Sequence, residues 1–383
     1  MPQPLTQQER LLRAVRWERG DRVPLLPPIP WHPLQWEDHP PQSGWQTEDN
    51  YLQVLELVQE HCAHLVGARA GYGLFDRRFF LVPPEHIEVV SHETHNGHTT
   101  VTTVVHTPLG DLRTVDEHDA NIATGWYTEP LLKTKDDVAK LLSVPYRFHP
   151  PDLSPLHEDE RRLGDRGLQQ ISVSTPLVSI SRLFHFDQFL EWCAAERDTI
   201  LHLMDVLTER IRRSLQYCLD QGVGPVYWFG GSEQATPPMM SPEYYDTFVV
   251  PYDGPLMQMV RDAGKLVHVH CHGKVNGCFE KIMGMGAHLL DPLEPPPDGD
   301  LPLAEAKERA RGRLALIGNL EFRHLEFATP QEIEEMVRRA ICEGPPEGLI
   351  LGCSATPITT VTDRYRDNAI RYIEAGLEYG VMQ

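Results

Sequence analysis

Three histidines alternate within residues 266–273 (LVHVHCHG): His268, His270 and His272. Along a β-strand, residues two apart share a face, so a strand here turns all three imidazoles one way and Cys271 the other. Imidazole is the commonest neutral metal ligand, and alternate positions set two of them roughly 7 Å apart along the strand before their side chains converge. The chemistry this offers is Lewis-acid catalysis by a divalent metal with an open coordination position. A hydrogen-bonded core residue is the ordinary use of any single histidine. Three in alternation, ending at Gly273, point instead to a site, with His270 and His272 nearest its mouth and His268 one layer deeper. A further donor is needed, and residues 348–353 (GLILGC) end a strand-like run on a thiol, Cys353. Taken alone, Cys353 reads as a small buried side chain.

Other candidates follow apolar runs. Glu233 comes after PVYWFGGS and is placed to orient substrate or act as a base; an exposed loop carboxylate is its plainer role. Glu294 lies in LEPP, where prolines stiffen the chain, and is expected to bind substrate. Asn319 follows residues 314–318 and is suited to donate to a substrate oxygen or to cap its own turn. Trp31, Trp36 and Tyr72 are expected to line the mouth from a proline-rich region, although most aromatics simply fill cores. His92, His95 and His98 flank Asn96-Gly97 and are expected to be solvated turn residues.

The elements that must position these residues alternate along the second half of the chain. Strands are predicted at 171–175, 225–229, 266–270, 287–290, 314–317 and 349–351. Helical spacing covers 186–218, 278–285, 303–311, 330–342 and 365–379, and Ser241-Pro242-Glu243 starts another helix. This is the pattern of a parallel sheet covered by helices. No strand runs into G-x-G-x-x-G and no Walker-type loop is present, so a closed (β/α)8 TIM barrel is expected over an open sheet. In that fold the chemistry sits at the C-terminal strand ends. Thr6-Gln7-Gln8-Glu9 has capping-box spacing and opens an N-terminal helix. Residues 89–115 alternate as β-branched strands around a Pro108–Asp111 turn, a small hairpin inserted into what is otherwise one domain over 1–383.

Composition narrows the function. The charge is 35 − 55 = −20 at pH 7, which disfavours nucleic acid, since such binders need a basic face. No stretch approaches the roughly 18 apolar residues of a spanning helix. Seven cysteines without a repeated spacing, and no export signal in residues 1–10, lead us to expect reduced thiols and a cytoplasmic location.

Residues 9–24 (ERLLRAVRWERGDRVP), 240–243 (MSPE), the His–Gly cluster, 286–291 (GAHLLD), 317–319 (IGN) and Gly352-Cys353 occur in the order and spacing of the uroporphyrinogen decarboxylase superfamily. The chain most resembles that superfamily's cobalamin-dependent methyltransferase branch. The resemblance implies a (β/α)8 barrel and zinc held at a His-x-Cys-Gly strand end plus a Cys on the last strand. It maps those ligands onto His270, His272 and Cys353, with His272 departing from the thiolate. It also implies methyl transfer between a small-molecule donor or acceptor and the corrinoid of a separate protein. The decarboxylase branch fits less well, because residues 24–33 (PLLPPIPWHP) lack the arginines that meet substrate carboxylates. A metal-dependent hydrolase is the remaining enzymatic reading of H-x-H, although such barrels usually carry the pair on their first strand.

Overall fold

The computed structural model describes residues 4–68, 82–120, 122 and 124–382. In chain order, β1 (His64–Gly67) is followed by β2 (Ile87–His95), β3 (His98–Val105), β4 (Leu112–Asp119) and β5 (Gly125–Glu129). Then come β6 (Gly167–Val173), β7 (Val226–Gly230), β8 (Leu266–His270), β9 (Leu289–Asp291), β10 (Ala315–Leu320) and β11 (Leu349–Cys353). β1 and β6–β11 form one sheet, in the order β1-β6-β7-β8-β9-β10-β11. Every neighbouring pair in it is parallel.

Helices connect these strands. Phe186–Ala195 and Arg197–Asp220 lie between β6 and β7, where a single helical stretch was expected; Glu196 breaks it with φ −121° and ψ 37°. Pro242–Phe248 and Val250–Asp262 precede β8, Phe279–Met285 precedes β9 and Leu303–Ala310 precedes β10. Phe322–Phe327 and Pro330–Cys342 precede β11, and Asp363–Tyr379 ends the series.

Two features depart from the expected regular barrel. Among the described residues the parallel sheet has seven strands, and the eighth is reduced to a bridge at residues 24–26. Leu351 N–H donates to the Pro24 carbonyl (2.9 Å), Leu26 N–H to that of Leu351 (2.9 Å), and Ala63 N–H to that of Leu25 (2.8 Å). Pro27, Pro28 and Pro30 follow and lack the N–H a ladder needs, so the pairing stops there. The result is a curled, TIM-barrel-like α/β sheet in place of a regular eight-stranded cylinder. The predicted hairpin over 89–115 is the middle of a larger antiparallel sheet, β2-β3-β4-β5, spanning 87–129. Its outer strand β2 is mostly exposed, so hydrophobic alternation did not mark its limits. His92 and His95 lie within β2 and His98 opens β3 across a two-residue turn, so they are strand residues and not loop residues.

The sheet has two cores. On the concave side, Leu168, Val226, Leu289, Ala315, Ile317 and Ile350 meet Leu11, Ala14 and Val15 of the helix Gln7–Val15, which closes the sheet's floor. Fully burying one such leucine contributes roughly 1.5–3 kcal/mol. The capping box holds that helix's start: Thr6 Oγ1 accepts from Glu9 N–H (3.2 Å), and Glu9 Oε2 accepts from Thr6 N–H (2.8 Å). On the convex side, Val267, Val269, Leu316, Leu349 and Leu351 pack under the helices.

Candidate active site

Alternation from the concave core fixes what each strand presents above it. Leu266 packs against the concave cluster while Val267 and Val269 belong to the convex one, so His268 and His270 share the concave face. The same count places Gln170 above Leu168, Trp228 above Val226, Asp291 above Leu289 and Asn319 above Ile317. A polar layer therefore rests on an apolar floor at the C-terminal strand ends.

Each histidine is held through Nδ1. His268 pairs with Gln170 Oε1 at 2.5 Å, and its buried Nε2 has no hydrogen-bond partner, the nearest carboxylate oxygen being Asp291 Oδ2 at 3.9 Å. His270 Nδ1 lies 2.9 Å from Asp291 Oδ2, and His272 Nδ1 lies 2.8 Å from Glu294 Oε1. Glu294 Oε2 also accepts the Gly273 N–H at 2.5 Å. The His270 and His272 rings meet edge to face at 4.6 Å, and Trp228 lies 5.0 Å from the His270 ring.

Burial and charge act together here. Burial pulls His268 down to about 4 against the opposing pull of Asp291, so it is neutral at physiological pH. Burial pushes Asp291 up, but the hydrogen bond and charge of His270, with His268 and His272, outweigh it and hold the carboxyl below its ordinary range. Glu294 behaves alike through His272 and the Gly273 N–H. Burial lowers His272, and its pairing with Glu294 more than reverses this, leaving it raised.

The remaining sequence candidates are distributed differently. Glu294 is brought against His272 by the contact already described. Asn319 donates through Nδ2 to the Leu293 carbonyl at 2.7 Å, pinning the loop that carries Glu294. Glu233 lies in the short turn Ser232–Ala235 after β7; its Oε2 is buried without a partner, and its charge reaches His272. Trp31 packs on His64 at the flank of the sheet, ring centroids 4.7 Å apart, beside a cavity of about 210 Å³ with Pro27, Ile29 and Leu65. Tyr72 lies outside the described residues. Cys353 shares the convex face of β11 with Leu349 and Leu351, and burial raises its thiol. Its charge would reach Tyr365 and Tyr372 of the last helix. Among the described residues no three His, Cys, Asp or Glu side chains form a ready ligand cluster, so the structure brings His270 and His272 together but leaves Cys353 apart.

Two residues escaped sequence reading. Asp291, the register partner of His270, was visible only as the end of GAHLLD. Glu321, after β10, is buried and raised by that burial; its Oε2 accepts from Ser354 Oγ at 2.9 Å, and its Oε1 has no partner.

A parallel, helix-covered, curled sheet with its polar layer at the C-terminal strand ends is the class to which TIM-barrel-like enzymes belong. The profile of the uroporphyrinogen decarboxylase (URO-D) family matches residues 171–363, just over half of the 383-residue chain, and the chain belongs to that family. No curated protein matches the sequence. Among solved structures, a methyltransferase from Methanosarcina mazei is similar with a TM-score of 0.61 and 16% identity, covering 98% of this chain and 99% of that one. A B12-independent methionine synthase from Shewanella sp. W3-18-1 gives a TM-score of 0.44 and 12% identity, covering 93% of this chain and 96% of that one. Among the described residues, no helix is long and apolar enough to cross a membrane.

Proposed function

We propose that this chain is a zinc-dependent methyltransferase. It moves a methyl group between the corrinoid of a separate protein and a small thiol or a methylated or methoxylated small molecule. The observation that carries the reading is the pair His270 and His272 at one strand end, each with Nδ1 engaged by a carboxylate. Among the described residues neither Nε2 takes part in a hydrogen bond, and that is the donor pattern of imidazoles used as metal ligands. Two imidazoles and one thiolate make a plausible zinc set with an open position. His270 and His272 would supply the nitrogens. Cys353, at the end of β11, would supply the sulfur once its side chain left the convex face, and is therefore the ligand under sharpest test.

Zinc held there by His270, His272 and Cys353 would supply Lewis acidity toward a thiol or an ether oxygen. The chain's own residues do the rest. Trp228 walls one side of His270, Glu233 sets a carboxylate beside His272 for a substrate proton, and the apolar floor keeps water from below. On this reading a corrinoid protein would dock over the C-terminal strand ends.

Metal analysis of the purified chain tests the reading. Stoichiometric zinc is expected, and its loss in His270→Ala, His272→Ala and Cys353→Ser. A wild-type chain that takes up no zinc would overturn the metal assignment, and full occupancy in C353S would remove Cys353 from the set. Turnover of uroporphyrinogen under anaerobic conditions would overturn methyl transfer itself.

A further inference from the structure

We infer that the cavity walled by Trp31, Trp36 and Tyr51 binds a neutral, planar aromatic molecule that carries an acceptor oxygen. The cavity has a volume of about 260 Å³, and an apolar protein cavity of roughly 150 Å³ already admits a benzene ring. Of its nine lining residues, all but Gln35 and Gln46 carry a ring. None is Asp, Glu, Lys or Arg, so the lining offers a charged ligand no counter-ion and a flat neutral one a stacking surface. The two amides beside that surface are the few placed polar groups such a pocket uses to orient its ligand. An indole N–H only donates, and Trp31 Nε1 is buried without an acceptor; a ligand oxygen would supply the missing one.

The walls are braced from outside the cavity. Tyr51, fully buried, donates through its hydroxyl to the Pro30 carbonyl at 2.8 Å. Trp36 stacks on the Tyr51 ring at 5.8 Å, and Trp45 meets the same ring edge to face at 5.5 Å. His32 accepts the Gln35 N–H through Nδ1 at 3.3 Å, so its proton sits on Nε2, which donates to the Gly67 carbonyl at 3.0 Å. Arg162 grips Asp38 with two bonds of 2.8 Å and thereby holds the end of the helix Pro33–Asp38 that carries Gln35 and Trp36. Walls fixed in advance reduce the ordering that binding must impose. Gly67 is the register partner of Gln170, whose side chain holds His268, so the cavity wall is tied to the β1–β6 edge of the candidate active site. His270, His272 and Cys353 do not line this cavity, and its ligand is independent of the proposed methyl transfer.

The experiment titrates the full chain with 2-methoxyphenol, followed by calorimetry and saturation-transfer NMR. One site is expected, with a Kd on the order of 1 mM or below. Trp36→Ala removes the stacking surface and should weaken binding about 10-fold. Gln35 is exposed, so Gln35→Trp should fold normally while its indole occludes the cavity, and binding should be lost. Methoxycyclohexane, of like size but not flat, should bind about 10-fold more weakly than the arene. His270→Ala should bind 2-methoxyphenol as the wild type does. No saturable binding by wild type at millimolar concentrations, unchanged affinity in W36A or Q35W, or loss of binding in H270A would overturn the assignment of the cavity. Equal affinity for methoxycyclohexane would refute the aromatic ligand class. Should W36A fail to fold, Q35W still decides. Zinc content and methyl transfer are read separately, so their failure leaves this binding result standing, and its failure leaves theirs.

Discussion

Replacing Asp253 with asparagine should stabilise the protein near pH 8 and change little near pH 4. Asp253 sits on the helix Val250–Asp262 behind β8, 2% exposed, with Oδ1 lacking any partner. Burial pushes its carboxyl from 3.8 up to about 8. The folded chain therefore keeps this proton until about pH 8, whereas the unfolded chain releases it near pH 4. Between those values the unfolded state binds fewer protons, so stability falls as pH rises. From 3.8 to 7 the difference spans 3.2 units, which at about 1.36 kcal/mol per unit sets a ceiling of roughly 4 kcal/mol. Relaxation and water entry soften real buried sites, and we expect about 2–4 kcal/mol. Asparagine keeps the volume and the polar atoms but cannot ionise. Urea unfolding of wild type and D253N at pH 4.5, 6, 7 and 8 should show the variant's advantage growing steadily across the series. A difference that stays flat with pH would refute the reasoning.

Two further outcomes can be checked by the same unfolding measurements. Burial pulls His64 down from 6.5 to about 4; below pH 6.5 the unfolded chain gains a proton that the folded one refuses, so stability is lost as pH falls from 6.5 to 4. The ceiling is roughly 3 kcal/mol, and His64→Phe should remove that dependence; equal slopes for the variant and wild type would contradict it. Gly231 has φ +94°, and a Cβ there would lie 2.0 Å from Val178 Cγ2. Gly231→Ala should cost about 2 kcal/mol and disturb the Gly231 N–H bond to His270 O (3.3 Å); an unchanged urea midpoint would show that the site absorbs the methyl group.

The alternation of His268, His270 and His272 and the strand–helix rhythm after residue 166 were legible because hydrophobic period reports local conformation directly. β8 (Leu266–His270) and the helix Pro330–Cys342 fall at their predicted bounds, and the Thr6 capping box forms as its spacing implies. The helices Pro33–Asp38 and Asp49–His61 were hidden in a proline-rich, polar region where period is weak and neighbouring prolines read as irregular chain. The truncated eighth strand was half visible, in the prolines that stop it.

What the sequence by itself determined was the set of residue types, their placement at strand ends and the family motifs they belong to. What only the tertiary structure decided was which of them meet. His270 finds Asp291 across 21 residues of chain because the register of β8 against β9 sets that pair, and His272 finds Glu294 across 22 because the loop after β9 is tied to β10 through Leu293. Cys353 falls on the convex face and Trp31 at the sheet's flank for a related reason. A parallel strand covered on both faces is apolar on both, so residues 349–353 (LILGC) carry no mark of which side is inside. Only packing against the helix Gln7–Val15 on one face and the outer helices on the other makes that choice.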